Sequence, residues 1–137
     1  MRLCLFLFTF AFGIAFAAEL PKTETLNGKL SIQNGKPATL ETADHHVYTL
    51  SGDDATTKIL GDTRLNGFSV QAKGHVTAPG KFQIDPIHTR ALLVHKDGHL
   101  KMITYWCDTC SIRAFTPGPC VCCQKETTLD LVDPDQL

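Results

Sequence analysis

The chain has 137 residues, 13 basic and 14 acidic side chains, a formal net charge of −1 and 43% hydrophobic residues. Its lysines are scattered singly and form no basic patch, which excludes nucleic acid as a partner class, because binding it needs clustered positive charge. The length suits one small domain whose modest core a covalent or metal staple would help.

The first residues read as a secretory signal. Arg2 supplies a minimal positive region, residues 3–16 are apolar, and Ala15-Phe16-Ala17 is an A-x-A cleavage box. The apolar run is short for a membrane-spanning helix, which needs about 20 residues. Cleavage is therefore expected after Ala17, with Cys4 leaving in the signal and the protein exported to a periplasm or beyond the cell. Dropping Arg2 from the 13 basic residues leaves 12 against 14 acidic ones, a formal charge of −2. No second apolar segment follows, so no membrane span is expected in the mature chain.

Residues 18–24 look like a lead-in. Leu26 and Lys29-Leu30-Ser31-Ile32 suggest a first strand ending at Asn34-Gly35, a dipeptide that favours hairpin turns. A second strand is expected over 38–42, a turn at Asp44-His45-His46, and a third strand over 47–50. Asp53 and Asp54 then precede a stretch closed by Gly61, which predicts one short helix over 53–60. Phe68, Val70 and Ala72 alternate with polar residues in a fourth strand over 68–76. Ala78-Pro79-Gly80 turns the chain into a fifth over 81–85.

Three strands, a helix and two strands is the element order of the five-stranded OB barrel, and the likeness covers about residues 24–87. A hairpin is expected next over 90–105, turning at Asp97-Gly98. A two-residue loop pairs Lys96 with His99, His95 with Leu100 and Leu93 with Met102. One face then carries Ala91, Leu93, Leu100 and Met102, the other Leu92, Val94 and Ile103, so both are expected to be covered. The hairpin would deliver Trp106 and Cys107 to one end of the barrel. The fold class is thus mainly β: an OB-like barrel with one short helix, an added C-terminal hairpin and a cysteine-rich loop. The division is a signal over 1–17, barrel and hairpin over 18–104, and a cysteine-rich metal-binding segment with an acidic tail over 105–137.

Chemistry is concentrated in that last segment. Cys107, Cys110, Cys120, Cys122 and Cys123 fall within the stretch YWCDTCSIRAFTPGPCVCCQKE, in a C-x2-C-x9-C-x2-C pattern with Cys122 inside the second pair. The stretch is expected to be loop-like, bent back at Thr116-Pro117-Gly118-Pro119. A C-x2-C pair can set two thiolates on one side of a tight turn, and a second pair opposite completes a tetrahedron at Zn–S distances of about 2.3 Å. Cys107 with Cys110 and Cys120 with Cys123 are the expected pairs, Cys122 being spare or replacing Cys123. The glycine common just after such turns is replaced by Ser111 and Gln124.

Three readings of the cluster compete. A structural zinc closed by four thiolates would tie the tail to the hairpin. Disulfides suit an exported chain, but five cysteines cannot all pair internally, and neighbours Cys122 and Cys123 are poorly placed to pair with each other. A soft-metal or thiol-redox role would make the cluster a working site, because thiolate-rich loops also suit Cu(I) and iron–sulfur clusters. Paired spacing and odd count favour metal. A c-type haem is excluded, since Ser111 stands where its histidine would be.

The runs DPIHTR (85–90) and YWCDTCSIRAFTPGPCVCCQ (105–124), with the OB-like half before them, resemble an uncharacterised family of small secreted bacterial proteins. The resemblance implies an exported single domain with a cysteine-rich end and brings no catalytic residue. Beside the cysteines, His45, His46, His95 and His99 read as surface or turn histidines. His88 reads as structural and is expected near the cysteine loop, Trp106 as a cap over the site, Arg113 as a solvated loop residue, and residues 126–137 as a mostly solvated acidic tail whose Leu129, Leu131 and Val132 could add a short strand or packing contact. No serine elbow, phosphate loop or paired-carboxylate motif is present. The expected protein is non-enzymatic: a binding module whose barrel face takes a small ligand, a glycan or another envelope protein. Metal handling, thiol exchange and a metal-free disulfide staple are the alternatives.

Overall fold

The computed structural model describes residues 20–136. The expected signal peptide and its cleavage site lie outside the described residues. Among the described residues no helix is long and apolar enough to cross a membrane.

Five strands close a barrel: β1 (Glu24–Ser31), β2 (Thr39–Thr42), β3 (Val47–Ser51), β4 (Ser69–Ala78) and β5 (Lys81–Ile84). β1 pairs antiparallel with β2, β2 with β3, and β4 with β5, while β3 meets β5 in parallel. Closure comes from β1, whose Gly28 is registered with Thr42 on one side and Val70 of β4 on the other. The order β1-β2-β3-β5-β4-β1, with a helix between β3 and β4, is that of the OB barrel. Each strand contributes to its interior: Leu30, Leu40, Leu50, Val70, Ala72, Phe82 and Ile84 are all buried. A Cβ at Gly28 or Gly74 would collide with the carbonyl of Glu41 or Gln83, so these are points of close strand approach.

The helix α1 (Asp54–Leu60) begins and ends where its sequence signals stand. Asp53 caps it by accepting the Thr56 amide at 2.8 Å, and Gly61 follows its last residue. Its Ile59 and Leu60 join the barrel core. After β5 the chain makes one helical turn, α2 (His88–Ala91), so the hairpin strand starts two residues later than the alternation suggested. That turn moves Ala91 off the Leu93 face and into the core with Leu92 and Val94.

β6 (Leu92–Lys96) and β7 (His99–Cys107) form the added hairpin, with Leu93↔Met102, His95↔Leu100 and Lys96↔His99 in register as expected. β4 joins it to the barrel. Val70 is registered with both Gly28 and Val94, so β1 and β6 lie on opposite edges of β4. β7 is similarly shared: β6 and then β8 (Ile112–Ala114) run along one edge, β9 (Thr128–Val132) along the other. The division at residues 104 and 105 therefore falls inside one continuous strand. β8 is a departure from the loop expected over 107–124, whereas β9 is the short terminal strand anticipated from Leu129, Leu131 and Val132.

Candidate metal centre

The two cysteine pairs sit on two tight turns of the same construction. In the first, Cys107 ends β7 and is registered with Ile112, five residues on, so the turn is the loop of the β7–β8 hairpin. In the second, the Cys120 amide donates to the carbonyl of Lys125, also five residues on, and the turn is closed behind by a Pro119↔Glu126 bridge. The Ser111 amide donates to the Cys107 carbonyl at 2.8 Å, and the Gln124 amide to the Cys120 carbonyl at 2.9 Å. Ser111 and Gln124 both lie in the left-handed region, at φ 54° and 60°. The glycine expected of such turns is thus absent while its conformation is present twice.

Each turn also aims two amides at the sulfur of its first cysteine. The amides of Thr109 and Cys110 interact with the Cys107 thiol, and those of Cys122 and Cys123 with the Cys120 thiol. The Cys122 amide lies 3.4 Å from Cys120 Sγ. Such amides stabilise a thiolate in place.

The sulfurs of Cys107, Cys110, Cys120 and Cys123 all lie within 4.8 Å of one another. Those of Cys107 and Cys123 are 3.5 Å apart, and all five cysteines among the described residues are free of disulfides. A tetrahedron with Zn–S arms of about 2.3 Å has edges of about 3.8 Å, so this cluster has the size of a four-thiolate cage. Cys107 and Cys120 are buried, Cys110 and Cys123 half-buried, and Cys122 is exposed and outside the cluster. Cys123 rather than Cys122 thus completes the set.

The electrostatics favour a bound cation. The Cys123 and Cys122 amides lower the Cys120 thiol to about 7. Cys110 moves the other way, pushed up by the neighbouring thiols of Cys122 and Cys123 and by burial. For Cys107, the lowering effect of the Cys110 amide is outweighed by burial and by the Cys120 and Cys123 thiols. The Cys120 thiolate forms readily, while charge on Cys107 and Cys110 is opposed by crowding, which a divalent ion relieves.

Several flanking residues do other work than their sequence suggested. Arg113 is not solvated: it is half-buried on β8, pairs with Asp130 at 2.7 Å, and lies 5.1 Å from the centre of the Trp106 ring. Trp106 is thus covered by Arg113. The tail is likewise engaged, since Asp130 meets Arg113, Asp133 meets Lys101 at 2.6 Å, and Leu129 and Leu131 pack on the core. His88 is buried, Nε2 lacks a hydrogen-bond partner, and burial lowers its pKa against the raising effects of the Phe115 backbone and Asp53. Phe115 lies between the two cysteine pairs, so His88 adjoins the connecting loop and is not among the sulfurs. His45 pairs with Glu41 at 2.9 Å and His95 with Asn27 at 3.1 Å, away from the cluster.

Compared with known proteins, the chain matches no family model, no curated protein and no solved structure. What the site can do is therefore decided by its own geometry. Among the described residues the cluster offers four sulfur ligands to one ion.

Proposed function

We propose that this protein is an exported, non-enzymatic binding module of OB type whose four-thiolate centre holds a structural zinc. The observation that carries the zinc reading is the pairing of two matching turns that set four sulfurs within 4.8 Å of one another. Structural zinc sites are closed by four protein ligands, whereas catalytic ones keep a position open for water or substrate. Tetrahedral sulfur coordination suits zinc or iron, and zinc adds no redox chemistry in an oxidising compartment.

Export is supported by the leader composition and by the likeness of the cysteine segment to small secreted bacterial proteins. The binding role is supported by a groove of about 450 Å³ on the outer barrel wall, lined by Asn27, Lys29, Glu41, His45 and His95. Its mixed charges and hydrogen-bonding groups suit a small polar ligand, a glycan or a loop of another envelope protein.

Native mass spectrometry of the purified protein, with free thiols counted before and after chelation, tests the centre. One zinc per chain and four thiols unmasked by chelator are expected. Two disulfides without metal would overturn the reading. A coloured protein with one iron would keep the cage and replace zinc.

A further inference from the structure

The chain has three asparagines, Asn27, Asn34 and Asn66, and each is followed by glycine. An Asn-Gly bond is open to attack from within: glycine has no Cβ to shield its amide nitrogen or to restrict the backbone, and the asparagine side chain can swing onto that nitrogen. The reaction needs an amide free of acceptors and a main chain free to bend. The three sites share one local chemistry and differ in what the fold does to them.

Two of them are held. Gly28 lies inside β1, registered with Thr42 on one side and Val70 on the other, so its amide belongs to the sheet. Asn27 Oδ1 is 3.1 Å from His95 Nε2. The Gly67 amide donates to the Leu30 carbonyl at 2.8 Å, and Asn66 Oδ1 accepts the Ile32 amide at 2.9 Å. Asn34 is placed differently. Residues 33–37 are exposed between β1 and β2, and the Lys36 amide closes a turn onto the Gln33 carbonyl at 3.1 Å. Gly35 takes the third position of that turn with φ 73°. Among the described residues nothing accepts the Gly35 amide, and the space where Gly35 would carry a Cβ is empty.

The structure assigns Asn34 as a site of self-deamidation, a covalent modification that the fold permits there and resists at Asn27 and Asn66. The Gly35 nitrogen attacks Asn34 Cγ, the Cγ–Nδ2 bond breaks, and ammonia leaves with the proton that Gly35 gives up. Water opens the resulting succinimide ring: its hydroxyl adds to one carbonyl carbon, and its proton returns to the Gly35 nitrogen. Opening at Cγ leaves aspartate. Opening at the main-chain carbonyl of residue 34 leaves isoaspartate, with an extra methylene in the backbone. Water is consumed, ammonia is released, and no electrons are transferred. Either product adds a negative charge to the turn between β1 and β2. Asn27, which lines the outer groove, keeps its amide.

The test incubates the purified protein in warm, mildly alkaline buffer, either folded or in concentrated urea with reductant, and follows it by peptide mass spectrometry. Cleavage at lysine and arginine puts the three asparagines on different peptides. The mass change from amide to acid marks conversion at each, and fragmentation separates aspartate from isoaspartate. In the folded protein Asn34 is expected to convert at least about tenfold faster than Asn27 or Asn66, because those two sites must first open locally. In urea the three rates should draw together, since each site is then an unrestrained Asn-Gly. Equal rates in the folded protein would overturn the assignment, as would Asn27 or Asn66 converting first. A lead for Asn34 that persists undiminished in urea would trace it to neighbouring sequence and overturn the role given to the fold.

Discussion

The hydroxyl of Tyr105 donates to Asp62 Oδ2 at 2.9 Å, in the buried space between β7 and the turn after α1. Asp62 also accepts from Arg64 Nε at 2.9 and 3.1 Å, and Arg64 reaches on to the Thr127 carbonyl at 2.8 Å. Thr127 in turn donates its hydroxyl to the Gly118 carbonyl at 2.8 Å, in the loop between the cysteine pairs. One chain of hydrogen bonds thus runs from the barrel to the segment that carries the second pair. Burial opposes charge on Asp62, but the bonds from Arg64 and Tyr105 outweigh it and hold the carboxyl below its ordinary value.

Asp62→Asn is expected to lower the unfolding free energy by about 1–3 kcal/mol at neutral pH, because the Tyr105 and Arg64 donors lose their anion. A carboxylate with a depressed folded pKa contributes fully above its unfolded value of about 4 and loses that contribution as pH falls through the folded value. The gap between wild type and variant should therefore narrow in strong acid. Urea unfolding at pH 7 and pH 2.5 measures it, and an equal gap at both would show that the charge on Asp62 is immaterial.

The left-handed conformation shared by Ser111 and Gln124 makes a second expectation. A side chain there costs roughly 1–2 kcal/mol relative to right-handed backbone, and glycine avoids that cost. Gln124→Gly should leave stability within about 1 kcal/mol of wild type, on the stabilising side if at all. Gln124→Val should lose about 1–2 kcal/mol, since β-branched residues fit positive φ worst. Thermal unfolding of the zinc-loaded proteins decides it. Valine and glycine behaving alike would mean that the turn relaxes away from φ 60°.

Metal removal and loss of a ligand should converge. At a free zinc concentration 100 times Kd, binding adds about 2.7 kcal/mol to apparent stability. Chelator should lower the Tm of wild type to that of Cys120→Ser and leave Cys120→Ser unmoved. A further chelator effect on that variant would show that a three-cysteine site still binds, or that zinc sits elsewhere.

His88 sets a pH dependence of its own. Burial favours the neutral ring, so its folded pKa lies below the ordinary value of about 6.5. The unfolded chain takes up the proton first as pH falls, so this contribution to stability is present above about pH 6.5 and declines between there and the folded pKa. His88→Leu should flatten the stability profile between pH 7 and 5. Chemical unfolding across that range, with zinc in excess, tests it, and parallel profiles for the two proteins would argue that His88 takes its proton without penalty.

Local signals sufficed wherever a segment's fate depends on its own residues. Alternation placed the barrel strands, Asp53 and Gly61 bounded the helix, and Asp97-Gly98 set the hairpin register to the residue. The cysteine spacing identified the two pairs, because a C-x2-C turn closes locally. What the chain could not declare depends on segments far apart in sequence. The helical turn at 88–91 breaks the alternation that placed Ala91 on the wrong face. β8 is a strand because β7 runs on past β6 with that edge unpaired, and pairing satisfies backbone groups that would otherwise be buried unpaired. Arg113 and Asp130 look solvated as single residues, and only the pairing of β7 with both neighbours brings them within 2.7 Å of each other. The tertiary structure also settled Cys123 over Cys122. Adjacent residues in a turn point their side chains in different directions, and spacing does not say which one faces the opposite pair.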